Sequence, residues 1–230
     1  LDKNMNNLDL KRIIKESQHC QRNWDLTKKI PAEHIDILKT AVKECPSKQN
    51  RVFYSPVFIT DSDVIEYILE TTKSFVYQFD PRLAVTNSQI MANLLVVFIR
   101  DRDYSEKPRT EVEYAMGITD GKNIKLNPGA LLDEGRAVGI ASAYLTLTAH
   151  LLGYKTGFYN AQHSMPEIKE MFGEEVLLMV GVGFEDHARN SREHHFDSSF
   201  IFPKMSKKII VKDGNSMRKH ILSVDISKVI

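Results

Sequence analysis

The sequence predicts an α+β fold, and three observations carry that prediction. Residues 52–60, 94–99 and 176–182 are short runs of β-branched, aromatic or aliphatic side chains, with the length and character of strands. Longer stretches with helical apolar spacing separate them, the clearest at 133–152. The two kinds of segment do not alternate regularly, which argues against a doubly wound sheet.

Each element has its own signal. The opening, through about Ser17, sets Leu8, Leu10, Ile13 and Ile14 among charges, as a helix with one apolar stripe does. A second helix begins at Pro31, with Glu33 and Asp36 near its positive end and Ile35, Leu38, Val42 and Cys45 as its buried face. Pro46 stops it. Pro56 marks the strand at 52–60 as an edge or a bulged strand. Thr60, Asp61, Ser62 and Asp63 start a helix that carries Val64, Ile65, Ile68 and Leu69 inward. The unbroken apolar run at 94–99 reads as a strand buried on both faces, and a charged loop, 100–109, follows it. The helix at 133–152 is apolar or small nearly all round, so it is expected to be buried on most sides. Gly135, Gly139 and Ala143 stand four apart on one of its faces, where another helix could approach closely, plausibly across a dimer interface. Gly153 ends it. A further short strand is expected at 207–212.

Composition narrows the functional classes. The 230 residues read as a single domain, 1–230, with a polar start at about 1–8 and a polar tail at about 200–230 that could wrap a neighbour. Thirty-one basic and 30 acidic residues give a formal net charge of +1, so there is no bulk footprint for nucleic acid or an anionic membrane. Two cysteines, Cys20 and Cys45, make neither a disulfide framework nor a zinc site, and a reducing, cytoplasmic setting is the simplest expectation. No apolar run has the length of a membrane span, and the polar opening lacks the apolar core of a signal peptide.

Four segments carry possible chemistry. After the first helix, His19 and Arg22 offer donors suited to an anion, although a solvated turn with an arginine has the same look. After the second, Pro46, Ser47, Lys48, Gln49 and Asn50 supply hydroxyl, cationic and amide groups, or simply end a helix. At the exit of the long helix, Phe158, Tyr159 and Asn160 read as a turn flanked by aromatics that could lie against a flat heterocycle, or as core. After the last buried strand, Arg189 and Arg192 make a phosphate clamp or two solvated arginines. Gly181-Val182-Gly183 lacks the third glycine and following helix of a dinucleotide site. His187, His194, His195 and Asp186 match no metal-ligand spacing, and neither Cys20 nor Ser142 has the setting of a nucleophile.

In their order and separations these segments resemble the nitroreductase family of FMN-dependent NAD(P)H oxidoreductases. The likeness runs over roughly residues 10–195: Gln18 to Arg22, Pro46 to Asn50, the small-residue helix ending in Leu152-Gly153-Tyr154, and the Gly-rich strand followed by Arg189 and Arg192. Gln18 and Cys20 stand where the family has Arg and Ser, and Val52-Phe53-Tyr54 replaces Gln-Pro-Trp. The resemblance implies a mixed central sheet flanked by helices in a domain-swapped homodimer. It implies that FMN is bound by His19, Cys20 and Arg22 with Arg189 and Arg192, by Pro46, Ser47, Lys48 and Asn50 of the other subunit, and by Phe158, Tyr159 and Asn160 along one face. Asn87 would reach the ring edge. Hydride would pass from NAD(P)H through flavin N5 to a small acceptor such as a nitroaromatic or quinone, with no catalytic side chain and no metal. Two alternatives stand beside this: a relative that consumes flavin or dehalogenates an aromatic, using the charged stretch at 100–127, and a flavin-binding protein without turnover.

Overall fold

Local capping and apolar spacing fix most of the helices. The structure, a computed structural model, describes residues 7–48, 52–72, 87–100, 128–160 and 166–188. Helix α1 (Asn7–Glu16) buries none of its side chains, and Leu8, Leu10 and Ile14 remain exposed. Helix α2 (Ala32–Lys43) begins after Pro31 and buries Leu38 and Val42. Helix α3 (Ser62–Thr71) is capped by Asp61, whose carboxylate accepts from Asp63 N at 2.9 Å and Val64 N at 3.3 Å. That satisfies main-chain donors the first helical turn leaves unpaired.

The long helix α4 (Pro128–Leu151) starts five residues before the expected position. It ends at Gly153, which adopts a φ of 87° and donates to His150 O at 3.1 Å. Burial on most sides is not what the described residues provide. Ala137, Val138, Ala141, Leu145 and Ala149 are buried, whereas Leu132, Ile140, Tyr144 and Leu147 are exposed. An apolar circumference requires two coverings, and the described residues supply one.

Four strands make the sheet: β1 (Tyr54–Ile59), β2 (Leu94–Arg100), β3 (Lys155–Tyr159) and β4 (Val176–Gly183), in the order β1-β2-β4-β3. All of their pairings are antiparallel, because β4 enters between β2 and β3 and runs opposite to both. The expected mixed sheet is therefore corrected for these strands; the parallel contribution is a single bridge between Cys20 and Thr156. The expected turn at 158–160 is also corrected, since Phe158 and Tyr159 continue β3, as aromatic side chains favour on a pleated surface. Pro56 sits in the edge strand, where a missing N–H is tolerated.

Alternation along β2 divides the core in two. Leu95 and Val97 face Ile65, Ile68, Met171 and Met179, with α3, a 3-10 turn (Ser88–Ile90) and helix α5 (Pro166–Phe172) on that side. Leu94, Val96 and Phe98 face Leu38, Leu145, Ala149 and Val180, with α2 and α4 on the other. At the end of β2, Arg100 grips Glu134 of α4 through two bonds of 2.7 and 2.8 Å and also pairs with Glu175. The expected loop at 100–109 beyond Arg100, the strand at 207–212 and the tail lie outside the described residues.

Candidate functional site

Residues 19–25 form the outer border of the sheet, although they carry no strand pattern of their own. Cys20 bridges Thr156 in parallel, and Gln21 N donates to Thr156 O at 2.8 Å. The chain then crosses to the end of β4, where Trp24 bridges Glu185, Asp25 N donates to Phe184 O at 2.9 Å, and Asp186 N donates to Asn23 O at 3.1 Å. Main-chain donors and acceptors left open at two strand edges thus find partners in one segment. This brings His19, Cys20 and Arg22 to β3, with Cys20 Sγ 4.0 Å from Phe158 O. Phe158 is 37% exposed, Tyr159 is buried in the core with its hydroxyl bonded to Thr72, and Asn160 is exposed.

Residues 87–93 fasten that border from one face. Trp24 Nε1 donates to Ser88 O at 2.9 Å, and Arg22 Nη1 donates to Gln89 Oε1 at 3.1 Å. Asn93 Nδ2 donates to Asp25 O at 2.9 Å and Lys28 O at 2.8 Å, while its Oδ1 accepts from Phe184 N at 3.0 Å. Such close approach needs glycine. Gly157 and Gly181 pair across β3 and β4. A Cβ on Gly157 would stand 2.7 Å from Gln89 Cβ, and one on Gly181 would meet Gln89 O and lie 3.0 Å from Ala92 Cβ. The space beside Gly183 is filled by the Asn93 side chain. Asn87 is buried beneath this segment, its amide donating to Thr72 Oγ1.

The other predicted group lies elsewhere. Pro46 and Lys48 are exposed and Ser47 is half-buried at the exit of α2. Lys48 Nζ pairs with Asp133 Oδ2 at 2.7 Å, and Arg136 approaches the same carboxylate at 3.3 Å. Lys48, and then Arg136, hold the Asp133 carboxyl below its ordinary range. Asp133 lies near the start of α4, whereas Phe158 lies in β3, the strand that follows the end of that helix. Asn50, Arg189 and Arg192 lie outside the described residues.

Between α1, α4 and β3 sits a polar junction that the sequence did not single out. Lys155 Nζ pairs with Glu16 Oε2 at 2.8 Å. His150 is buried, and its Nε2 has no hydrogen-bond partner among the described residues. Burial, reinforced by the Lys155 charge, depresses its pKa to about 4, so the ring is neutral near pH 7. Gln89 and Asn93 also escaped notice, because an amide beside an apolar run carries no local signature. The available clue was the glycine set, Gly157, Gly181 and Gly183, whose partners are remote in sequence. Among the described residues no His, Cys, Asp or Glu group could hold a metal ion, and no helix is long and apolar enough to cross a membrane.

No protein-family model and no curated protein matches the sequence. Solved structures do match. The fold is similar to that of B. megaterium NfrA2, with a TM-score of 0.59 at 15% identity over 81% of this chain and 69% of that one. It is similar to the NADPH:FMN oxidoreductase from Vibrio harveyi, solved with NAD+, with a TM-score of 0.57 at 15% identity over 89% and 76%. It is also similar to a nitroreductase with bound FMN from Bacteroides fragilis, with a TM-score of 0.56 at 16% identity over 86% and 99%. At such identities the likeness is one of architecture: the chain has the nitroreductase fold.

Proposed function

We propose that the chain is an FMN-dependent oxidoreductase that carries hydride from NAD(P)H to a small acceptor such as a nitroaromatic or quinone, working in the cytoplasm as a homodimer. The observation that carries this reading is the border of β3, where Cys20 packs on the main chain of the exposed Phe158 and Arg22 follows two residues on. A half-buried guanidinium whose hydrogen bond goes to a neutral amide suits an anionic or carbonyl-bearing ligand. An exposed aromatic ring on the strand that this segment borders suits a flat heterocycle. The residues present therefore fit FMN. The likeness to a flavin-bound nitroreductase supports the same ligand.

In this reading FMN, when bound, supplies the two-electron relay of a ping-pong exchange. The protein's own groups do the holding. Arg22 faces the phosphate or the pyrimidine edge, where positive charge stabilises an electron-rich ring. Arg189 and Arg192 complete the phosphate contacts. Pro46, Ser47, Lys48 and Asn50 would come from the second copy; the exposure of Pro46 and Lys48 at the exit of α2 suits residues offered to a neighbour.

The visible spectrum of the protein after incubation with FMN and desalting tests the ligand. A retained flavin band is expected, and a colourless protein sinks the proposal. Stopped-flow mixing with NADH and with NADPH then tests the reaction. Rapid bleaching by at least one is expected, whereas a bound flavin that neither bleaches would leave a flavin-binding protein without turnover.

A further inference from the structure

Two arginines in this molecule are treated in opposite ways. Arg100 is nearly buried and is neutralised by two carboxylates, Glu134 and Glu175. Arg22 is half-buried, yet its guanidinium is held by the uncharged amide oxygen of Gln89 at 3.1 Å. Confining a cation in a partly desolvated place without a counter-charge is costly, and a carboxylate is the ordinary remedy. Glutamate differs from glutamine by one atom exchange and would reach the same position. The molecule instead orients Arg22 and leaves its charge uncompensated by that partner.

The orienting group is itself fixed. Gln89 is 8% exposed, and its main chain rests against the paired Gly157 and Gly181, where no other residue type leaves room. Gln21 O packs against Gly157 as well, so the residues before Arg22 and the backbone of Gln89 share one footing. Both ends of the Arg22–Gln89 bond are therefore set by the β3–β4 pair rather than by side-chain choice at the surface.

We infer that Gln89 is a positioning residue, which presets the Arg22 guanidinium for the anionic group of a bound ligand by fixing its direction without consuming its charge. This rests on the flavin reading above, in which that ligand is FMN. Gln89→Glu supplies a counter-charge in the same shape. It is expected to weaken FMN binding at least tenfold, read by quenching of flavin fluorescence, while the melting temperature of the flavin-free protein does not fall. A merely structural hydrogen bond would move affinity and melting temperature in the same direction. In an Arg22→Met background, Gln89→Glu is expected to change FMN affinity less than twofold, since the charge it silences is gone. Gln89→Met, neutral and of similar length, tests the same point should the glutamate variant fail to fold, with a loss of several-fold expected. FMN binding within twofold of wild type in the folded variants would overturn the inference while leaving the flavin reading intact. An equal loss with and without Arg22 would overturn it too. A wild-type protein that quenches no FMN fluorescence would remove the flavin reading and this inference together.

Discussion

The border of β3 and the exit of α2 both carry residues that the sequence marks for ligand binding, but they are built differently. At the β3 border the main chain itself is paired, Asn93 joins three separate main-chain groups, and three glycines let the 87–93 segment press against the sheet. At the exit of α2 the described attachment of Lys48 is one ion pair to Asp133, with 60% of the lysine side chain exposed. The outer side of α4 near it, with Leu132, Ile140 and Tyr144, is also open. The β3 border is thus completed within the chain. The exit of α2 presents its groups outward, which is the form expected of residues offered to a second copy.

Disturbing the knit border should cost most. Gly181→Ala drives a methyl into the Gln89 carbonyl, which belongs to the backbone and cannot swing aside. A loss of roughly 3 kcal/mol in urea unfolding is expected. A near-neutral result would mean that the 87–93 segment is not pinned to the sheet. Asn93→Ala removes three hydrogen bonds and leaves the Phe184 amide without its acceptor. It should cost about 2 kcal/mol by the same measurement, less than the sum of three bonds because water can reach part of the site. Lys48→Met should change stability by under about 1 kcal/mol, since the pair it breaks is exposed. FMN affinity should nonetheless fall several-fold, as titration would show. If stability drops sharply instead, the α2 exit is as structural as the β3 border, and the contrast between them fails.

The sequence made the contrast only half visible. Residues 94–99 and 176–182 announced their strands because continuous apolar runs reflect burial on both faces, and Asp61 announced α3 because a cap is a local event. Gly153 announced the end of α4 for the same reason. Phe158 and Tyr159 look like a turn in the sequence, since nothing near them reveals that β4 and residues 20–21 will pair on either side. Gly181 and Gly183, which lack the rest of a dinucleotide-binding pattern, make room for Gln89 and Asn93, about 90 positions earlier in the chain. The exposed side of α4 was hidden by its own composition, because apolar residues all round look alike whether they meet the chain's own core or are left uncovered. Local chemistry was legible, and long-range packing was not.

The pairing of residues 20 and 21 with β3 also bears on time. Cys20 and Phe158 are 138 positions apart, and closing so long a loop is rewarded only once β3 has paired with β4 and offers an edge to receive it. The segment that carries Arg22 precedes in the chain the strands whose pairing it must await.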